Sequence, residues 1–332
     1  MAQQNDLGAY VDAQEAQSGI NGVTEVSAQP IPFAGRDVAN NNPTVSGVNK
    51  QRAYETSEQR ANRINTELNK IGWHKIDIKT LPTAGLFYQQ DLELYIRAAR
   101  GEEIKHWSTM NDEEIESVND MWNYIIEKCV DVRSNSVGAS WRDLKEVDRL
   151  YILLAIRELT FIDEENNLMV SVSEGKNIPI TKEMVHYIEI PENIMRLYSP
   201  EERCFVAKLK TGRTIKLYIP SFGVTEWLAN YVRQKVAEKV NFDQDFIQYA
   251  QMLIPDYRGL TQRKYEDMVI ESHDYGVQEW SVIAYIMDTL RKTLTPTFKY
   301  TMEDGTEAEV PVTFRGGVKA IFSISDPLSA LC

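Results

Sequence analysis

The stretch Lys79-Thr80-Leu81-Pro82-Thr83-Ala84-Gly85-Leu86-Phe87-Tyr88 restricts this chain more than any other. Proline presets φ and cannot donate a backbone hydrogen bond, whereas Gly85 is free to take a left-handed angle. The stretch therefore predicts an extended approach, a sharp bend at Pro82–Gly85, an aromatic pair, and a new strand at Asp91–Arg97. None of these side chains is a ready nucleophile or general base, so a bend that positions an aromatic plug is favoured over catalysis.

Residues 1 to about 60 have a different character. Gln, Asn, Ala, Gly and Ser dominate, and isolated apolar residues such as Tyr10, Ile31 and Phe33 follow neither strand nor helix period. Such a segment buries too little apolar surface to offset its ordering entropy. It reads either as a disordered tail or as an arm ordered by neighbouring subunits. Between about Gln51 and Lys70, Ala53, Ile64 and Leu68 among charges suggest a short amphipathic helix.

The region 61–170 then alternates as a strand over Ile71–Ile78, passes the bend, and turns helical. Gly101-Glu102-Glu103-Ile104 opens a helix with carboxylates in its first turn, where the helix dipole favours them. Ser108 or Asn111 is the expected cap of the next helix, which carries Ile115, Val118, Met121, Trp122, Ile125, Ile126 and Cys129. After a Ser-Asn-Gly loop at 134–140, residues Trp141–Leu159 read as one helix, charged first and apolar later. Within it, Asp148 and Arg157 read as a structural ion pair or an interface contact, and the structural pair is favoured.

The region 171–295 contains a hairpin, Cys204–Pro220, around Thr211-Gly212. The region 296–332 contains a second, Phe298–Val312, around Asp304-Gly305; alternating apolar residues about such turns are a sound hairpin signal. Helices are expected at Thr225 to about Val240, Asp243–Leu253 and Gln278–Leu294. The predicted fold is α+β, a mainly helical core with two or three β-hairpins and an extended N-terminal arm.

The block from about Lys75 to Phe161 resembles the baseplate hub subunit and hub-assembly family of T-even-type contractile-tailed phages. The resemblance rests on Leu81-Pro82-x-x-Gly85-Leu86-Phe87-Tyr88, the strand to Arg97, Gly101-Glu102-Glu103, Met110-Asn111-Asp112-Glu113, and Asp148-Arg149-Leu150 through Arg157-Glu158-Leu159. It implies a structural or assembly protein of the virion tail baseplate, assembled in the host cytoplasm, whose partners are other phage tail and baseplate proteins. Three alternatives stand beside that: an assembly chaperone absent from the mature virion, a cell-wall-degrading tail enzyme, and a DNA-associated head or neck protein, with which the acidic balance conflicts. Members of such families often end in a ribbon whose Cys-x-x-Cys-Gly turn can hold zinc. Here the turn reads Thr301-Met302-Glu303-Asp304-Gly305, without thiolates, so no metal function carries over.

The chemistry-bearing residues agree with a non-enzymatic reading. His74, His106, His186 and His273 lie outside metal-ligand spacing, and His74 and His106, each beside a tryptophan, suggest packing. There is no Gly-x-Ser-x-Gly elbow, phosphate loop or dinucleotide fingerprint, and Arg315-Gly316-Gly317 reads as a turn. The acidic runs Glu102-Glu103, Asp112-Glu113-Glu114 and Asp163-Glu164-Glu165 belong to helix starts and turns. A net charge of −13 argues against general affinity for nucleic-acid backbone. No apolar run is long enough to span a bilayer, and the N-terminus lacks a secretory signal. Cys129, Cys204 and Cys332 are odd in number and suggest no disulfide framework. No cofactor, metal or small-molecule ligand is expected. Leu81, Pro82, Gly85, Phe87 and Tyr88 form the candidate bend. Tyr257 and Arg258, on a loop between helices, are candidates for partner contact or for a packed loop.

Overall fold

The computed structural model describes residues 72–135, 138–161, 168–172, 176–301, 305 and 307–323. The N-terminal arm, the helix expected at 51–70, the acidic run Asp163–Glu165, the turn at 302–304 and Cys332 lie outside them. The described residues belong to one compact unit, Thr56–Cys332.

The fold is mixed α+β. Strands β1 (His74–Ile76), β2 (Glu93–Ile96) and β3 (Val130–Arg133) form an antiparallel sheet with β2 central. Leu94, Tyr95 and Ile96 are all buried, as a central strand covered on both faces requires. Helices α1 (Gly101–Trp107), α2 (Ile115–Cys129) and α3 (Arg149–Thr160) complete this part. Two small antiparallel pieces follow, β4 (Met169–Ser171) with β5 (Asn177–Pro179), and β6 (Val185–His186). After a short helix α4 (Glu192–Met195), β7 (Tyr198–Ser199), β8 (Cys204–Lys208) and β9 (Thr214–Leu217) make a second three-stranded sheet. Helices α5 (Phe222–Glu238), α6 (Gln244–Leu253), α7 (Gln262–His273) and α8 (Val277–Thr293) lead to the ribbon β10 (Thr297–Thr301) and β11 (Glu307–Pro311). β10 also pairs with β6.

Three apolar centres hold these elements. The first packs the β1–β3 sheet, α2 and the buried run Leu150–Ile156 of α3 against Val185, Phe298, Ile321 and Phe322. The second joins the β8–β9 hairpin to α8 and includes Phe87. The third is aromatic: Tyr231 of α5 lies 4.6 Å from Tyr265 of α7 and stacks beside Trp227 at 5.5 Å.

Several expectations from sequence are corrected. Trp141–Leu159 is not one helix. Trp141–Asp143 and Glu146–Asp148 are separate 3-10 turns, and the α-helix begins at Arg149. Leu144 and Lys145 stay extended because the chain here bridges to residues 220–222: Glu146 N donates to Pro220 O at 2.9 Å, and Phe222 N to Leu144 O at 2.9 Å. Neither Ser108 nor Asn111 caps α2. Ser108 ends α1, and the residue before α2 is Glu114. The amphipathic face of α2 is narrower than its spacing implied, since Ile115 is 56 % exposed. Helix α7, capped by Thr261, was not expected. His74 and His106 are exposed, although His106 rests 4.2 Å from the Tyr124 ring.

Candidate functional site

The bend forms at Pro82–Gly85, but its approach is a turn of 3-10 helix and not the extended segment the sequence suggests. A 3-10 turn at Ile78–Thr80 leads into overlapping turns in which Ala84 N donates to Leu81 O (2.7 Å), Leu86 N to Thr83 O (3.0 Å) and Tyr88 N to Gly85 O (3.1 Å). Ala84 and Gly85 carry φ of 50° and 76°. A side chain at Gly85 would be strained by the left-handed φ, while its Cβ would meet Ile78 O in ordinary contact at 3.4 Å.

Two aromatic residues then point to different centres. Phe87 enters the second centre between Tyr198 (5.7 Å, edge-on) and Phe205 (6.1 Å), and the Tyr198 hydroxyl donates to Leu86 O. Tyr88 enters the first centre together with Leu81. Leu81, Phe87 and Tyr88 are all buried and serve the bend from inside; Pro82 and Gly85 are half-buried.

Beneath the bend lies Asp148, with no exposed surface. It accepts from Thr83 N (3.2 Å), Thr83 Oγ1 (2.7 Å) and the Tyr88 hydroxyl (2.7 Å). The Tyr88 oxygen in turn accepts from Lys145 N at 3.0 Å, making a chain of hydrogen bonds from backbone to phenol to carboxylate. Burial pushes the Asp148 carboxyl up to about 6 against the opposing pull of these donors. Burial and then the Asp148 charge drive the Tyr88 phenol well above its ordinary range. The expected Asp148–Arg157 pair is replaced: Arg157 donates to Ala320 O and Ile321 O and lies 4.7 Å over the Phe161 ring. The sequence placed the two charges on one helix, but Asp148 precedes that helix and turns toward the bend.

The 255–258 loop packs onto the same region. A Cβ added at Gly223, in the first turn of α5, would lie 2.2 Å from the Tyr257 ring, so ring and helix backbone are in direct contact. The Tyr257 hydroxyl is 3.1 Å from Ser140 Oγ. Arg258 remains exposed, but its guanidinium donates to Gly138 O (2.9 Å) and to Asp143.

These pieces enclose a cavity of about 290 Å³. Phe87, Tyr88, Lys145, Arg203, Tyr218, Asp256 and Arg258 are among its walls, so the bend and the 255–258 loop, far apart in sequence, line one space. Lys145 is half-buried, and burial pushes its ammonium down to about 8, opposed by Asp143 and assisted by Arg203. Arg203 lies in the turn before β8 with a left-handed φ of 54°. Sequence inspection did not single out Lys145 or Arg203. Each stands in an ordinary charged run, and only tertiary folding brings them to one wall.

Among the described residues, no group of three His, Cys, Asp or Glu side chains is placed to hold a metal ion. Cys129 and Cys204 are free and buried, and burial pushes the Cys129 thiol up to about 12. No described helix is long and apolar enough to cross a membrane. Comparison of the chain with protein-family models, with curated proteins and with solved structures gives no match.

Proposed function

We propose that the protein is a structural or assembly component of a contractile phage tail that acts at the baseplate hub through protein–protein contacts. The proposal starts from the resemblance of residues 75–161. One observation supports it: separated pieces that carry the resemblance brace one another and also hold residues 319–321, which lie outside it. Thr83 and Tyr88 of the bend bond Asp148. Arg97 at the end of β2 makes a two-pronged pair with Glu103 of α1 at 2.9 and 2.5 Å. Asp112 accepts from Lys319 N at 3.2 Å, and Arg157 caps carbonyls at 320–321. Polar residues spent on mutual bracing maintain a shape, which suits a part that works by fitting among neighbours.

The test is a composition measurement. A tagged copy is expressed in the infected host, and purified particles and baseplate intermediates are analysed by quantitative mass spectrometry. Stoichiometric presence in particles is expected for a subunit. Presence only in intermediates identifies an assembly factor. Absence from both, or peptidoglycan digestion by the pure protein, overturns the proposal.

A further inference from the structure

The walls of the cavity beside the bend carry both signs of charge, but the pairing is uneven. Asp143 is held by Arg258 and accepts from Ser140 N at 2.9 Å. Asp256 accepts from Arg258 N at 3.0 Å and faces its guanidinium at 3.5 Å. Glu202 is paired with Lys216 at 2.5 Å. Each acidic wall group therefore has a cation against it, with Asp143 and Asp256 sharing Arg258.

The Lys145 ammonium and the Arg203 guanidinium are different. Among the described residues neither charged end has a hydrogen-bond or ion-pair partner; Arg203 is near enough to oppose the Lys145 charge, and Asp143, Asp256 and Asp148 favour it from a distance without bonding it. Two unpaired cations on one half-enclosed wall cost free energy unless an anion lies between them. Burial is the first cause of the depressed Lys145 ammonium; Asp143 opposes it and Arg203 adds to it.

We propose that this cavity is a carboxylate-binding site in which Lys145 and Arg203 grip a single negative charge, with Phe87 and Tyr218 flanking a short apolar stem. The carboxylates already lining the walls disfavour a second negative charge, so a monoanion is preferred to phosphate. A volume of about 290 Å³ admits a small acid or one residue at a chain end and excludes a nucleotide. A free small acid and the carboxylate of a partner polypeptide share this chemistry.

The test is acetylation of Lys145 by an amine-reactive ester at pH 8, followed site by site by mass spectrometry on the full chain. The probes are propionate, the tripeptide acetyl-Gly-Gly-Leu as free acid, its amide, and inorganic phosphate, each at matched ionic strength. At saturating probe, a carboxylate should slow Lys145 acetylation at least about fivefold while the amide leaves it unchanged. Protection by propionate assigns a small acid, and protection by the peptide acid alone assigns a chain end. Arg203→Gly suits the left-handed backbone, so it should fold and lose the protection; its melting temperature serves as the folding check. Arg203→Lys should retain part of the effect. The proposal fails if no carboxylate protects Lys145, if the amide or phosphate protects equally, or if folded Arg203→Gly is protected as before.

Discussion

The Tyr88 hydroxyl donates to Asp148 Oδ2 at 2.7 Å while accepting from Lys145 N at 3.0 Å, so one phenol closes the bend over a buried carboxylate. Replacing Tyr88 with Phe keeps the ring and removes both bonds. A buried N–H and part of a buried carboxylate lose their partner, and the expected loss is about 2–3 kcal/mol in urea denaturation. A Tyr88→Phe variant as stable as the parent would show that the bond contributes nothing.

Asp148 also gives the fold a pH signature. Its folded value, about 6, lies above the unfolded value near ~3.9. The folded state therefore holds this proton longer, and the contribution is fully present below about pH 4 and lost as pH rises through about 6. Relative to Asp148→Asn, the parent should lose about 2–3 kcal/mol between pH 4 and 7. Paired denaturation curves across that range measure the difference and cancel the remaining carboxylates. A constant difference would place the Asp148 carboxyl near its ordinary value.

Arg97 and Glu103 form a buried pair whose side chains are 10 % and 3 % exposed. Glu103 also accepts from Arg100 N at 2.6 Å, fixing the start of α1. Arg97→Met should cost about 3–5 kcal/mol, because it strands a buried carboxylate. The double variant Arg97→Met with Glu103→Met should recover most of that loss, less the contribution of the helix cap. Equal losses in single and double variants would refute the pairing argument.

Gly223 is needed for the approach of Tyr257. Gly223→Ala forces ring or helix to move and should cost about 1–3 kcal/mol. Combining it with Tyr257→Ala removes the clash, so the two effects should couple strongly in a double-mutant cycle. Additive effects would mean that the ring swings away freely.

The sequence was most legible where local chemistry decides the outcome. Thr211-Gly212 marks the β8–β9 turn, with Gly212 at φ 87°, and Asp243 caps α6 by accepting from Phe246 N at 2.9 Å. Reading failed where distant chain competes with local preference. Residues 141–148 have helical composition, but pairing of Leu144–Glu146 with 220–222 keeps them out of the helix. Helix α7 was missed because its surface is mostly charged and only Tyr265 and Ser272 are buried. At the candidate site, Pro82, Gly85 and Tyr88 announce themselves, while Thr83 occupies an unremarked motif position. Lys145 and Arg203 gain meaning only from sharing a wall.

The clamp of α3 and α1 on residues 318–322 sets an order of events during synthesis. Arg157 bonds carbonyls at 320 and 321, and Trp107 Nε1 donates to Lys319 O at 2.9 Å with Phe322 edge-on at 4.9 Å. The first centre stays open on one side until the ribosome has released that segment. Nascent chains arrested earlier expose the apolar walls of α1 and α3, which makes them the natural clients of a holding chaperone.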